Sequence, residues 1–335
     1  MLAVNQHVDQ LRAKRLIFAD CGKPDQVLRL EDFEPRLPDE GEVLVRMDAA
    51  PINPADLNLI EGTYGVKVDL PAVPGIEGCG VVEVSKSYRF EAGQRVIFLR
   101  RASTWATHTT VNEDHLLAVP LGIDAHQAAM LKVNPATAWR LLHGFVELRP
   151  GDWVVQNAGN SAVGRCVIQL AREYGFRTVS FVRRVGLADE LRELGGDAVF
   201  SDDDAGYAEA NAILGGATAR LAFNAVGGES ALRLMKLLEE GGTHITYGAM
   251  ARKPLTLPNG LLIFRDLRVR GLWVTKWLED ASSEEVRSTY ETLVGFVANG
   301  RLVQAVDSVF PLGDWRSALE RLKDSERNGK VLLIP

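Results

Sequence analysis

Between Asp152 and Gly175 the apolar run Trp153-Val154-Val155 enters the small-residue loop Asn157-Ala158-Gly159-Asn160-Ser161-Ala162-Val163-Gly164. A short buried strand that meets a tight loop and then a helix aims helix-terminal N–H groups at one point, where a pyrophosphate is held by hydrogen bonds and the helix dipole. The spacing G-x-G-x-x-G is only approximated, because Ser161 stands in the middle glycine's place and Gly159 and Gly164 remain. On these residues alone an ordinary strand-to-helix turn fits equally well. The following residues favour a dinucleotide site: Val167, Ile168, Leu170 and Ala171 share one side of a helix, Gly175 closes it, and Thr178 to Val182 reads as the next strand. Where an acidic residue would bind the ribose diol of NAD, the chain carries Arg183 and Arg184. Paired guanidinium groups favour a 2′-phosphate by charge and bidentate hydrogen bonding, so NADPH is expected over NADH; solvated loop charges are the alternative reading of the pair.

The elements around this βαβ unit sort into two kinds. The first third is β-rich, with strands expected near Val27 to Leu30, Glu42 to Ala49, Gly80 to Ser85, Arg95 to Leu99 and Trp105 to Val111, punctuated by turns such as Pro51 to Pro54. From about Asp124 the period changes. Helices are expected at Ala125 to Leu131 and Pro135 to Val146, the latter capped by Asn134. Strands then alternate with helices at Trp153 to Gln156, Thr178 to Val182, Ala198 to Phe200, Leu221 to Ala225, His244 to Tyr247 and Leu267 to Trp273. Such alternation implies a parallel sheet covered on both faces. A helix at Ser282 to Asn299 and a β-containing tail ending in Lys330 to Ile334 suggest that the chain returns to its first domain.

At 335 residues and 46% hydrophobic content the chain can build two ordinary domains. Its 38 basic and 44 acidic residues give a net charge of −6 and no sign of a broad nucleic-acid surface. Cys21, Cys79 and Cys166 are odd in number and lack paired metal-ligand spacing, which fits a reducing compartment. No apolar run approaches the roughly 20 residues that cross a bilayer. Met1 to Lys14 lacks a signal-peptide apolar core, and Asp9 and the absence of serine argue against a transit peptide despite Arg12, Lys14 and Arg15. The cytoplasm is therefore expected, with the mitochondrion as the alternative for a eukaryotic source.

A series of motifs in fixed order carries a family resemblance: Asn53-Pro54-Ala55-Asp56, Gly62-Thr63-Tyr64-Gly65, Leu70-Pro71-Ala72-Val73-Pro74-Gly75-Ile76-Glu77-Gly78 and Val133-Asn134-Pro135-Ala136-Thr137-Ala138-Trp139. The loop at Val155 to Gly164 follows, then Thr246-Tyr247-Gly248-Ala249-Met250, Leu262-Ile263-Phe264-Arg265-Asp266-Leu267 and Arg270-Gly271-Leu272-Trp273. Over almost its whole length the chain resembles the medium-chain dehydrogenase/reductase superfamily, and most closely its zinc-free 2-enoyl thioester reductases, which include the mitochondrial trans-2-enoyl-CoA reductases. The resemblance implies an α/β fold, with a discontinuous GroES-like β-rich catalytic domain (residues 1–124 and 302–335) and a Rossmann doubly wound parallel-sheet domain (residues 125–301) holding NADPH. Zinc-dependent members would need a histidine where Ile76 stands, and a cysteine-rich lobe that this chain lacks, so no metal is expected; His108 and His115 are more simply packed or surface residues.

The same resemblance implies that Tyr64 is catalytic and Asn134 lies near the nicotinamide. Asn160, Ser161, Ala162 and Val163 would cradle the pyrophosphate, while Arg183 and Arg184 hold the adenosine phosphate. Tyr247, Gly248, Ala249, Met250, Leu272, Trp273 and Val274 would line the nicotinamide side, and Lys330 would reach back to the cofactor. Ala249 and Leu272 depart from the glycine and phenylalanine usual in the group, and Val185 stands where another arginine is common. The implied reaction is NADPH-dependent reduction of a trans-2-enoyl thioester, on coenzyme A or an acyl carrier protein, by hydride transfer to Cβ. A phenol with a pKa of about 10 is protonated at neutral pH and can donate to the enolate oxygen that develops. Leu261 to Phe264 read as acyl-pocket lining or core, and Arg100 and Arg101 as contacts to a carrier phosphate or simply exposed charges. A zinc-free quinone reductase shares the cofactor loop without needing Tyr64, and a non-catalytic NADPH-binding regulator is the alternative of another class. A homodimer paired near Leu267 to Val274 is expected, with no membrane or nucleic-acid partner.

Overall fold

A computed structural model describes residues 12–216 and 218–335; residues 1–11 of the segment read for a targeting signal lie outside the described residues. In chain order the elements are β1 (Ala13–Ile17), α1 (Pro24–Val27), β2 (Arg29–Phe33), β3 (Glu42–Pro51), α2 (Pro54–Ile60), β4 (Cys79–Ser85), β5 (Arg95–Phe98), β6 (His108–Asn112), β7 (Leu116–Ala118), α3 (Ala125–Ala129) and α4 (Asn134–His143). They continue with β8 (Trp153–Gln156), α5 (Ala162–Glu173), β9 (Arg177–Val182), α6 (Ala188–Glu193), β10 (Ala198–Ser201), α7 (Asp204–Ile213), β11 (Ala219–Asn224), α8 (Gly228–Leu237), β12 (Leu238–Thr246), α9 (Asn259–Arg265), β13 (Arg268–Gly271) and α10 (Val274–Asp280). Last come α11 (Ser283–Ala298), β14 (Val306–Pro311), α12 (Trp315–Lys323) and β15 (Lys330–Ile334).

The chain divides into two compact units. One comprises the residues up to Val133 with Ser283–Ala298 and Gln304–Pro335, the other Asn134–Ser282 with Asn299–Val303. This division places residues 125–133 and α11 in the first unit and Leu302 and Val303 in the second, unlike the one that the resemblance implies. A buried polar contact accounts for the move of α11: Tyr290 is fully buried and donates its hydroxyl to the Lys132 carbonyl at 2.7 Å.

In the first unit β3 is the axis of a sheet ordered β14-β15-β3-β4-β5-β7, with β6 also pairing β3. Alternate residues of β3 serve opposite faces, as the period of a strand requires. Val43, Val45 and Met47 join one apolar cluster with Val82 and Phe98. Ala50 and Ile52 join another with Phe18, Trp105, Trp315 and Leu333. The closing strand β15 pairs β3 at Leu332 and Leu333, so the chain does return to this sheet. Two local expectations fail here. Instead of a strand at Val27 to Leu30, Pro24 at the first helical position with Asp25 in the first turn makes α1, and β2 starts only at Arg29. The Pro51 to Pro54 stretch, read as a turn, instead starts α2 through Pro54.

The position of α2 is set by buried polar groups. Asp56 is fully buried; its Oδ2 accepts the Asn53 N–H and its Oδ1 the Ile76 N–H, both at 2.9 Å. Asn53 donates through Nδ2 to Glu77 Oε1 at 2.8 Å and accepts from Lys330 Nζ at 2.5 Å, and Lys330 also donates to the Ile52 carbonyl at 3.1 Å. Glu77 Oε2 accepts the Val133 N–H at 2.8 Å, and Lys132 Nζ donates to the Ile76 carbonyl at 2.6 Å. Burial pushes the Asp56 carboxyl up to about 7 against the pull of its two N–H donors and Lys330. Burial likewise raises Glu77, and lowers Lys132 to about 8.

An acid whose folded pKa lies above its unfolded value keeps its proton in the native state after the unfolded chain has lost it. Asp56 therefore contributes stability that fades as pH rises from about 4 towards 7. Asp56→Asn does not titrate and must turn an NH2 group against one of two N–H donors, which costs about 1–3 kcal/mol. Denaturant melts should find that deficit at about pH 4 and a smaller one above pH 7; a deficit that stays constant or grows with pH would contradict the raised carboxyl.

Candidate active site

The second unit is a parallel sheet ordered β10-β9-β8-β11-β12-β13. The chain builds outward from β8 in one direction and then from β11 in the other, so the order reverses between those two strands. In such sheets ligands bind outside the carboxyl ends of the strands at the reversal. The predicted cofactor residues of this unit, Asn134 apart, all leave that edge: Asn160 to Val163 after β8, Arg183 and Arg184 after β9, Tyr247 to Met250 after β12, and Leu272 to Val274 after β13.

The loop after β8 is closely fitted. A Cβ on Gly164 would stand 2.6 Å from the Gly159 carbonyl oxygen, so a larger residue would force the loop off the helix. Ser161 caps α5, its Oγ accepting the Gly164 N–H at 3.1 Å, while the Ala162 and Val163 N–H groups have no acceptor within the helix. The half-buried Asn160 is held through its carbonyl, which accepts from Arg165 Nε at 3.1 Å; buried Arg165 also pairs with Glu190 of α6 at 2.5 Å. Arg165 is a positioning residue that pattern reading missed, since a lone arginine inside a helix reads as surface.

Asn157 is also missed, and it ties the two central strands together. Its Nδ2 donates to Asn224 Oδ1 and Ser230 Oγ, both at 2.8 Å, and its Oδ1 accepts the Ala225 N–H at 2.7 Å. The available signal is an asparagine immediately after Gln156 and after Phe223, one at each of two adjacent strand ends.

Arg183 is exposed and Arg184 half-buried at the end of β9. The Tyr247 N–H donates to the Asn224 carbonyl at 3.0 Å, and its hydroxyl is buried and faces Ser161 without hydrogen-bond geometry; burial raises its pKa. Gly248 is half-buried, whereas Ala249 and Met250 are exposed. Leu272 is half-buried and donates its N–H to the Thr246 carbonyl at 2.9 Å, Trp273 caps α10, and Val274 is buried as its first residue. Asn134 is the first residue of α4 rather than its cap, and its Nδ2 is buried with no partner among the described residues. A dinucleotide fits this unit: helix N–H groups for a pyrophosphate, arginines at the β9 end for a 2′-phosphate, and two buried polar atoms, Tyr247 Oη and Asn134 Nδ2, unsatisfied by protein.

In the first unit α2 ends in the turn that carries Tyr64. The Thr63 and Tyr64 N–H groups both donate to the Asn58 carbonyl, at 2.9 and 3.1 Å, and Gly62 adopts a φ of +74°. A side chain at Gly62 would be strained by that φ and would meet the Cys21 Cβ at 3.0 Å. Tyr64 is half-buried and packs against the cluster of Phe18, Ile60 and Trp105. Lys330 lies in this unit, within the Asn53 and Glu77 network.

The reading of Leu261 to Phe264 as core is corrected. Only Leu261 packs against the core; Leu262, Ile263 and Phe264 are 40, 69 and 80% exposed, because α9 lies on the surface with no buried residue. His108 pairs with Glu83 at 3.0 Å, and among the described residues no group of three or more His, Cys, Asp or Glu side chains is placed to hold a metal. No described helix is long and apolar enough to cross a membrane.

Comparison with known proteins agrees with this architecture. Residues 39–141 match the family described as alcohol dehydrogenase GroES-like domain, and residues 162–298 that described as zinc-binding dehydrogenase, whose metal the residues present do not fit. The mitochondrial enoyl-acyl-carrier-protein reductase of Mus musculus is 40% identical over 92% of this chain and 85% of its own length. The Xenopus tropicalis protein of that name is 38% identical over 97% and 96%. Among solved structures, a putative NADPH:quinone reductase from Bacillus thuringiensis has a TM-score of 0.90 at 28% identity, covering 97% of this chain and all of the other. An Etr1p complex with NADP and crotonyl-CoA has a TM-score of 0.88 at 28% identity with the same coverage. The Etr1p/Etr2p heterodimer from Candida tropicalis has a TM-score of 0.87 at 29% identity, again over 97% of this chain. Those relatives are named mitochondrial, and they lend no support to the cytoplasmic expectation. The chain belongs to the medium-chain dehydrogenase/reductase superfamily, among the enoyl reductases.

Proposed function

We propose that the protein reduces trans-2-enoyl thioesters with NADPH, with Tyr64 as the proton donor. The observation that carries the reading is the placement of Tyr64: a phenol on a glycine turn, fixed at the end of a helix whose start is gripped by buried Asp56. The names of the enoyl reductase relatives support the substrate class.

In the second unit the Ala162 and Val163 N–H groups would hold the pyrophosphate, Arg183 and Arg184 the 2′-phosphate, and Asn134 and Tyr247 would offer polar contacts. Bound there, NADPH would supply the hydride. Hydride addition at Cβ moves an electron pair onto the thioester oxygen. The Tyr64 hydroxyl hydrogen-bonds that developing oxyanion and then gives its proton to Cα as the enolate's electron pair returns to carbon, completing the saturated thioester; the phenolate left behind regains a proton from solvent. Lys330, ordered by Asn53 and Ile52, is the further cofactor contact in this reading.

A homodimer is part of the proposal. β13 is an edge strand of the parallel sheet, and the stripe Leu262, Ile263 and Phe264 is exposed just before it, an apolar face beside an unpaired edge. The relatives' names favour a mitochondrial setting over a cytoplasmic one. Quinone reduction is the second reading, favoured by the putative quinone reductase fold neighbour.

Tyr64→Phe is expected to lower kcat on crotonyl-CoA by about 10²-fold or more, with NADPH binding retained; turnover of a simple quinone that ignores Tyr64 while enoyl turnover is absent would favour the second reading. Arg183→Ala with Arg184→Ala is expected to weaken NADPH by about 10- to 100-fold and NADH by far less, measured by fluorescence titration. Equal weakening of both would contradict the phosphate role.

A further inference from the structure

A pocket of about 500 Å³ lies within the first unit, and Lys67 and Arg101 form part of its wall. Lys67 follows Tyr64 by three residues, and Val68 and Ala72, which also line the pocket, pack on the apolar cluster that receives the Tyr64 ring. Among the described residues neither cation makes a side-chain hydrogen bond or ion pair. Arg101 is half-buried, so its charge is partly desolvated, and buried Asp56 is the group that offsets this electrostatically. Asp69, exposed in the same wall, leaves the lining with one net positive charge. Surface cations commonly stay solvated; a half-buried guanidinium that makes no direct side-chain hydrogen bond or ion pair among the described residues and shares a pocket with a second cation is suited to an anion.

We infer that this pocket binds the 4′-phosphate of the substrate's pantetheine arm, with Arg101 as the forked hydrogen-bond donor and Lys67 as a mobile point charge. The inference rests on the enoyl thioester reading above, because only a thioester on such an arm carries that phosphate. The phosphate is common to coenzyme A and to acyl carrier proteins, so one pocket serves either carrier. Ser103, also in the wall, adds a hydroxyl donor.

The experiment compares kcat/KM for crotonyl-pantetheine, crotonyl-4′-phosphopantetheine, crotonyl-CoA and a crotonyl carrier protein, in wild type and in Lys67→Ala with Arg101→Gln. Wild type should prefer the phosphorylated arm over bare pantetheine by about 10- to 100-fold, the worth of charge-assisted hydrogen bonds. The double variant should bring that ratio to about one, through KM rather than kcat, and coenzyme A and carrier-protein thioesters should fall by the same factor. A ratio unchanged by the double variant overturns the inference, as does a fall confined to coenzyme A, which would assign the cations to its nucleotide end. Turnover of crotonyl-pantetheine without any phosphate preference sinks the pocket alone. A wild type that reduces none of the four sinks the enoyl reading with it.

Discussion

Two backbone N–H groups converge on the buried carboxyl of Asp56, that of Asn53 at the start of the same helix and that of Ile76 twenty residues on. The first starts α2, whose far end forms the turn bearing Tyr64; the second belongs to the segment Gly75 to Gly78, where Glu77 continues the network to Asn53 and Val133. Removing one member would leave a buried donor or charge without its partner, the costly half of the hydrogen-bond balance. Lys330 closes the same network from the last strand, so a residue near the end of the chain and one near its beginning hold each other in place. The position of Tyr64 is thus a consequence of polar burial as much as of apolar packing.

The second unit relies on a different constraint. A parallel sheet whose order reverses between adjacent strands brings every strand-to-helix loop to one edge, and Asn157 locks the two strands at the reversal by meeting Asn224, Ser230 and Ala225. Helix α5 then presents its first N–H groups from a loop in which Gly159 and Gly164 leave no room for a side chain. The proposed cofactor preference rests on that edge, since a 2′-phosphate extending past β9 would meet Arg183 and Arg184. Arg183 is exposed there and Arg184 half-buried.

Legibility in the sequence followed the range of each interaction. The βα alternation, the small-residue loop and the arginines after β9 are local patterns, and the strands Trp153–Gln156 and Lys330–Ile334 fall where periodicity puts them. Helix α2 was hidden because Pro54 marks both turns and helix starts. The Asn53, Glu77, Lys132 and Lys330 network was not visible: its partners lie far apart in the chain, and charged residues ordinarily read as surface. Arg165 and Asn157 were missed for the same reason. The stripe Leu262 to Phe264 failed in the opposite direction, being apolar yet turned outward, because sequence patterning identifies an apolar face without identifying what covers it.

A crystal structure of the protein with NADP and a 2-enoyl thioester measures directly where the Tyr64 phenol stands relative to the acyl group. The Tyr64 hydroxyl should lie within about 2.5–3.0 Å of the thioester carbonyl oxygen, the span of an O–H···O hydrogen bond. A complex in which that oxygen is met by another donor, with the phenol turned away from the acyl group, would contradict it.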